Sequence, residues 1–407
     1  MTKIAVINYG PKSDYAAMLP EVAGALHVYS HHELAGTEGF AHYEYVPDCE
    51  FVPYPELMIR RSAGDAPFTH VITDNEYDLE RAARIRRDLG IPGQSPESAL
   101  SFRDKEVMKR TAGKTVPVAR HARLETVTDL TGFVAETGYP VVVKPVKQGG
   151  SRDIVTLHGD DELVEFTRRH WRDDLMVEQF VEGPMYHVDA VIAPGYRFVA
   201  SSRYLRSCLG VLSGENNGSL QLHPEEKFAA RLEEFLDQVL DAFETPGTSA
   251  YHLEVFHTPD DRLVLCEIAS RVGGNRIPHL TRATYGVDLH RTWLRQSVGL
   301  PVPPAPVEAP EFVRGSVSVV PQGRPVGAPP RPPFEWIDHY EVNAALAPGA
   351  KPANSTSHLC FAIVRGADLA EVEQRVLETE AWLMANLVEP EAGTGERAVE
   401  APGVTTP

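Results

Sequence analysis

Two short runs, Tyr251-His252-Leu253-Glu254-Val255-Phe256-His257 and Leu263-Val264-Leu265-Cys266-Glu267-Ile268, are rich in apolar and aromatic residues and are joined by Thr258-Pro259-Asp260-Asp261-Arg262. Each reads as a strand, and the join reads as a tight turn. With Pro259 to Arg262 as a four-residue hairpin loop, Thr258 pairs with Leu263 and Glu254 falls directly opposite Glu267. Directly opposed Cβ atoms lie roughly 5 Å apart, and like charges at that separation destabilise a sheet unless something compensates them. A divalent cation is the natural compensator. The plain alternative is a solvated edge with both carboxylates turned to water, because a slip of one residue flips a face. Ala269-Ser270-Arg271-Val272-Gly273-Gly274-Asn275 follows, placing Arg271 four residues after Glu267 and then two glycines that let backbone approach a ligand closely.

Cations and a second glycine pair stand earlier in the chain. Tyr139-Pro140-Val141-Val142-Val143-Lys144-Pro145 reads as a buried strand with Lys144 near its end, either snorkelling or holding an anion. Gln148-Gly149-Gly150-Ser151 after it has the composition of a flexible flap whose N–H groups can close over phosphates, and equally that of a surface hairpin. Ser98 to Arg110 reads as a helix whose charges, Arg103, Asp104, Lys105 and Lys109, are expected on a solvated face. Gly113-Lys114-Thr115 resembles the end of a P-loop, but Met108 stands where that motif requires glycine.

The elements that must position these residues are an α/β set followed by mixed strands and helices. Lys3 to Tyr9 reads as a buried strand ending at Gly10-Pro11, with a helix from about Tyr15 to Leu26; one glycine at that turn is too few for a dinucleotide fingerprint. Phe68 to Thr73 is a further strand and Glu76 to Leu89 a helix stopped by Gly90 and Pro92. Leu175 to Val181, Tyr186 to Ala193 and Tyr196 to Tyr204 read as strands, with Arg203 and Arg206 at the end of the last. Glu225 to Phe243 and Asp288 to Val298 read as helices. Strands at Phe312 to Val320 and Leu359 to Val364, a helix at Leu369 to Leu387, and proline-rich loops at Pro301 to Pro310 and Pro325 to Pro333 complete the chain. Segment 389–407 lacks large apolar residues and is expected to be a disordered tail.

A chain of 407 residues with 43% hydrophobic and 24% charged residues has room for two to four domains with proper cores. Its net charge of -18 argues against a nucleic-acid surface but not against a nucleotide pocket, which needs only a few local cations and a metal. Cys49, Cys208, Cys266 and Cys360 are widely spaced, indicating neither a disulfide framework nor a zinc knuckle. The first residues are too short an apolar run for a signal peptide and no run is long enough to span a membrane, so a cytoplasmic protein is expected.

The ordered set of Asp104-Lys105, Lys144-Pro145, Gln148-Gly149-Gly150-Ser151, Val177-Glu178-Gln179-Phe180-Val181-Glu182-Gly183, then Glu254, Glu267 and Arg271, resembles the ATP-grasp superfamily. Within it, Glu-Ile-Ala-Ser-Arg-Val-Gly-Gly at 267–274 is similar to the carboxylate–amine ligases, especially L-amino acid ligases. The resemblance runs from about residue 1 to 388. It implies an α/β and α+β architecture: an N-terminal α/β domain (1–103), a small ATP-grasp lobe with the flap (104–183), and a large lobe with a C-terminal extension (184–388).

The resemblance also implies roles. Lys105 and Lys144 would contact ATP phosphates, the flap residues Gln148, Gly149, Gly150 and Ser151 would close over them, and Glu178, Gln179 and Val181 would hold adenine. Glu254 and Glu267 would carry one or two Mg²⁺ (or Mn²⁺), Arg271 would neutralise the transferred phosphoryl group, and Arg203, Gly273 and Gly274 would meet substrate; Arg206 and Arg276 are further candidate clamps. The implied activity is ATP-dependent joining of a small acid or amino acid to an amine, forming an amide or peptide bond through an acyl phosphate, with ADP and phosphate released. The substrates would be small molecules, and relatives of this kind often form homodimers. The rivals are a bicarbonate-using carboxylase of the same fold and a nucleotide-binding protein that has lost catalysis. Two departures bear on this: Met185 occupies the place of the usual ribose-binding glutamate, leaving His187 or Asp189 as substitutes, and Ala269 occupies that of an asparagine beside the metal.

Overall fold

The structure, a computed structural model, describes residues 2–10, 13–49, 52–64, 66–321, 323, 326–343, 351 and 357–388. The expected tail, 389–407, and Pro325 lie outside the described residues.

The apolar run Ile4–Asn8 is buried at every position and forms an inner strand of a four-stranded parallel sheet, ordered His42–Tyr45, Leu26–Ser30, Ile4–Asn8, His70–Thr73. The helix expected from Tyr15 to Leu26 is cut short. Pro20 lacks an N–H and clashes with the preceding turn, so Tyr15–Met18 is a single turn, Pro20–Ala25 is a 3₁₀ segment, and Leu26 already begins a strand. Helix Leu79–Leu89 buries Leu79, Ala82, Ala83 and Ile85 on one face and ends at Gly90, whose φ of 66° is the left-handed cap expected of glycine.

A second, antiparallel sheet of four strands runs His121–Arg123, Leu175–Gln179, Val141–Pro145, Val155–Leu157. A third, of eight antiparallel strands, is ordered Leu263–Ala269, Ser249–His257, Met185–Ala193, Tyr196–Tyr204, Asn217–Gln221, Val313–Val319, Cys360–Gly366, Ile337–Val342. Its largest core forms where helix Lys227–Asp241 packs Leu232, Phe235, Leu236 and Val239 against Leu253, Val255, Leu265 and Ile268.

That core also takes Phe102, Met108 and Ala112. The single helix expected over 98–110 is in fact two, Pro96–Ser101 and Lys105–Ala112, because Asp104 leaves helical geometry to cap the second, accepting from the N–H groups of Glu106 and Val107 at 3.1 and 3.2 Å. Seating Met108 in the core turns Lys105 and Lys109 inward. Both are buried, so the solvated face expected for this helix is corrected.

Candidate active site

The hairpin places Glu254 opposite Glu267, by a route that differs from the expected one. His257, not Thr258, pairs with Leu263, so the turn spans five residues, 258–262. It is closed by Thr258, whose N–H donates to the Arg262 carbonyl at 2.9 Å and whose Oγ1 accepts from the Arg262 N–H at 3.0 Å; Asp261 turns the chain at φ 60°. A register shift after Val255 then skips Cys266 and restores the Glu254–Glu267 pairing. Both carboxylates line one cavity of about 360 Å³.

Around Glu267 and Glu254 the cations are already placed. Lys105 Nζ lies 2.9 Å from Glu267 Oε2 and donates to the Gln148 carbonyl at 2.7 Å. Glu254 Oε1 accepts from the Tyr204 hydroxyl at 2.8 Å and lies 3.6 Å from His252 Nε2. Burial alone would raise the Glu254 carboxyl, but the hydrogen bond and charge of His252, with Tyr204, hold it down to about 2. Arg271 donates from Nε and Nη2 to Glu76 Oε2 at 3.1 and 2.8 Å, and Arg103 lies 3.7 Å from Oε1. Burial would push Glu76 up; Arg271, Arg103 and Lys105 outweigh it and hold it at about 2.

At the far end of the cavity Lys144 Nζ donates to Glu178 Oε1 at 2.5 Å, and Lys109 Nζ lies 3.1 Å from Oε2 while also donating to the Leu265 carbonyl at 3.1 Å. Glu178, which burial would push up, is held at about 2 by the two lysines. Between the ends lies the glycine segment. Gly150, Ser151 and Asp153 take left-handed φ of 68°, 58° and 57°. The segment is fastened to residues 77–103: Arg103 donates to the Lys147 carbonyl at 2.7 Å, Lys147 pairs with Glu80 at 2.9 Å, and Arg152 donates to the Tyr77 hydroxyl. Gly149 rests so close to Glu76 that a Cβ there would collide with its carboxylate.

Of the residues singled out from sequence, the cavity wall gathers Lys105, Lys144, Gln148, Gly149, Gly150, Ser151, Glu178, Gln179, Val181, Arg203, Glu254, Glu267, Arg271 and Gly274. Gly273 lies behind the wall. Arg203 and Arg206 reach the cavity but are paired with Glu373 and Glu380 of helix Leu369–Ala385, at 2.6 and 2.7 Å, and Arg276 is paired with Glu341. His187 and Asp189, suggested as ribose partners, are 0% and 1% exposed and bound to each other, so that suggestion is corrected. Glu76, Lys109, Tyr204 and His252 were not anticipated. The i, i+4 spacing of Lys105 and Lys109 was the one available signal, since it puts both on one helix face.

The donor set fits a hard divalent cation: two opposed carboxylates, one of which has an oxygen tied to Tyr204 so that its other oxygen is the one available to the cleft. No helix among the described residues is long and apolar enough to cross a membrane.

No protein-family model matches the chain. It is 27% identical over 243 residues to the L-arginine-specific L-amino acid ligase of Bacillus subtilis, covering 57% of this chain and 58% of that protein. The chain therefore spans a little over half the length of that curated relative. Its structure is similar to that of an L-amino acid ligase from Bacillus licheniformis (TM-score 0.72, 16% identity, 95% of this chain and 98% of that one). It is also similar to a carboxyaminoimidazole ribonucleotide synthase from Aspergillus clavatus solved with ATP (TM-score 0.70, 16% identity, 94% and 99%). The fold is that of the ATP-grasp proteins. The likeness to L-amino acid ligases is found in both sequence and structure.

Proposed function

We propose that this protein is an ATP-dependent carboxylate–amine ligase that joins two small molecules, amino acids among them, through an acyl phosphate. One observation carries the reading: a single cavity holds a lysine–glutamate cluster at one end and, at the other, two opposed carboxylates with Lys105 and Arg271 beside them. In this reading Glu178, Gln179 and Val181 receive adenine, Lys144 and Lys105 the phosphates, and the 148–151 segment covers them. Glu254 and Glu267 would hold Mg²⁺, which when bound neutralises phosphate oxygens.

The chemistry asks the protein mainly for position and charge. A carboxylate oxygen of the acid attacks the γ-phosphorus and the bond to ADP breaks. The amine then attacks the acyl carbon, the C–O bond breaks with its electron pair leaving on phosphate, and the amine gives up a proton. Arg271, which lines the cavity, would neutralise the transferred group once it exchanges Glu76 for that group. Incubation with MgATP and pairs of amino acids should give ADP, phosphate and an amide in equal amounts. Formation of AMP and pyrophosphate would overturn the acyl-phosphate step, and ADP release that depends on bicarbonate without an amine would favour a carboxylase.

A further inference from the structure

Three buried polar side chains go unused in this mechanism: His252, which lines the cavity, and His187 and Asp189 behind it, exposed by 4%, 0% and 1%. Strand register explains their meeting. His252 is the cross-strand partner of Asp189, and Glu254 that of His187, so the four side chains share one face of adjacent strands. Asp189 has both oxygens engaged, Oδ2 with His187 Nδ1 at 2.6 Å and Oδ1 with His252 Nδ1 at 2.9 Å. His187 Nε2 is satisfied 3.0 Å from Ser219 Oγ. His252 Nε2 is thereby directed at Glu254 Oε1, the oxygen also held by Tyr204. These are hydrogen-bonded contacts already closed on one another, which argues for a fixed scaffold over a metal site among the three.

The same contact has a second neighbour. A Cβ on Gly273 would lie 2.5 Å from Asp189 Oδ1 and 2.8 Å from His252 Nδ1, so the 271–274 loop is seated directly on the Asp189–His252 hydrogen bond. Only a residue without a side chain fits there. Arg271 and Gly274, on either side, face the cavity.

We propose that Asp189 and His252 are a positioning pair that sets the Glu254 carboxylate and the Arg271 loop at a fixed separation, with Gly273 as the contact through which the loop is registered. The proposal rests on the ligase reading only for the roles of Glu254 and Arg271; the mechanical link stands on the contacts themselves. Ligand-orienting neighbours of this kind change metal affinity or activity about 10- to 100-fold when removed.

The test is Mn²⁺ affinity of the ADP-saturated full chain, read by electron paramagnetic resonance, alongside kcat, the KM for ATP and the melting temperature. Gly273→Ala does not touch Glu254, yet it should weaken Mn²⁺ and lower kcat about tenfold with the KM for ATP nearly unchanged. His252→Gln should do the same, and the double variant should lose less than the sum because both act through one contact. Unchanged Mn²⁺ affinity in a folded Gly273→Ala protein would overturn the proposal. If that variant does not fold, His252→Gln and Asp189→Asn decide the matter by the same readout. A wild-type protein that binds Mn²⁺ and ADP but turns over no ATP would defeat the ligase reading while leaving the coupling measurable.

Discussion

The two ends of the cavity treat their charges differently. At the Glu178 end that carboxylate has a lysine on each oxygen, all three groups are nearly inaccessible, and the cluster is complete from within the protein. At the Glu254–Glu267 end Lys105 leans on Glu267 and Arg271 on Glu76, and the carboxylates there keep side-chain exposures of 15% and 21% for Glu254 and Glu267. The first cluster is paired within the protein and serves as scaffold while also lining the cavity. The second consists of pairs that, in the proposed function, incoming phosphate and cation would exchange. A buried ion pair gives little net stability but is costly to break on one side, whereas a partly exposed pair can trade partners cheaply. The scaffold end should therefore report in stability, and the exchange end in turnover.

The largest effect expected is on turnover. Glu267→Gln should reduce ATP turnover on the order of a thousandfold, the loss seen when a charge-stabilising group is removed, with little change in melting temperature. Comparable losses in both would merge the two ends into one. Next, Lys109→Met should destabilise the fold by about 3 kcal/mol in urea titration, because Glu178 is left buried with one cation instead of two. Adding Glu178→Gln to that variant should cost stability again, because Lys144 is then left buried without a counter-charge; no further loss would mean that the cluster acts by packing alone.

The acid limb of the stability curve sharpens the same contrast. Glu178 is held at about 2 against an ordinary 4.5, so it contributes stability that is complete above 4.5 and is lost as pH falls toward 2. Melting temperature should fall steadily through that window, and the fall should be shallower in Lys109→Met. The smallest effect expected is for Lys147→Ala. Its pair with Glu80 is 40% and 26% exposed, and its removal should change stability by at most about 1 kcal/mol, read by the same urea titration.

Much of the exchange end was legible in the sequence, and little of the scaffold end. Glu254 and Glu267 announced themselves because a short turn between two apolar runs forces like charges together. Even so, the expected four-residue loop and uninterrupted ladder were both wrong, and a five-residue turn and a skipped Cys266 compensate each other. Lys109 was misjudged because a charged helix is normally solvated, and only the packing of Met108 and Ala112 beneath the large sheet buries it. Glu76 lies 195 positions from Arg271, and no local pattern connects them. The strands Leu26–Ser30 and His42–Tyr45 escaped notice because they are short and His27 interrupts the first and Glu44 the second. Gly273 was visible as a glycine, but the reason for it, an aspartate and a histidine from two other strands, was not.

The central claim is that the acid's carboxylate is phosphorylated in this cavity before the amine attacks. An acid substrate labelled with ¹⁸O in its carboxylate tests it directly, with the products analysed by mass spectrometry after reaction with MgATP and an amine. One labelled oxygen should appear in inorganic phosphate for each amide formed. Label found in AMP, or phosphate released without label, would contradict the account.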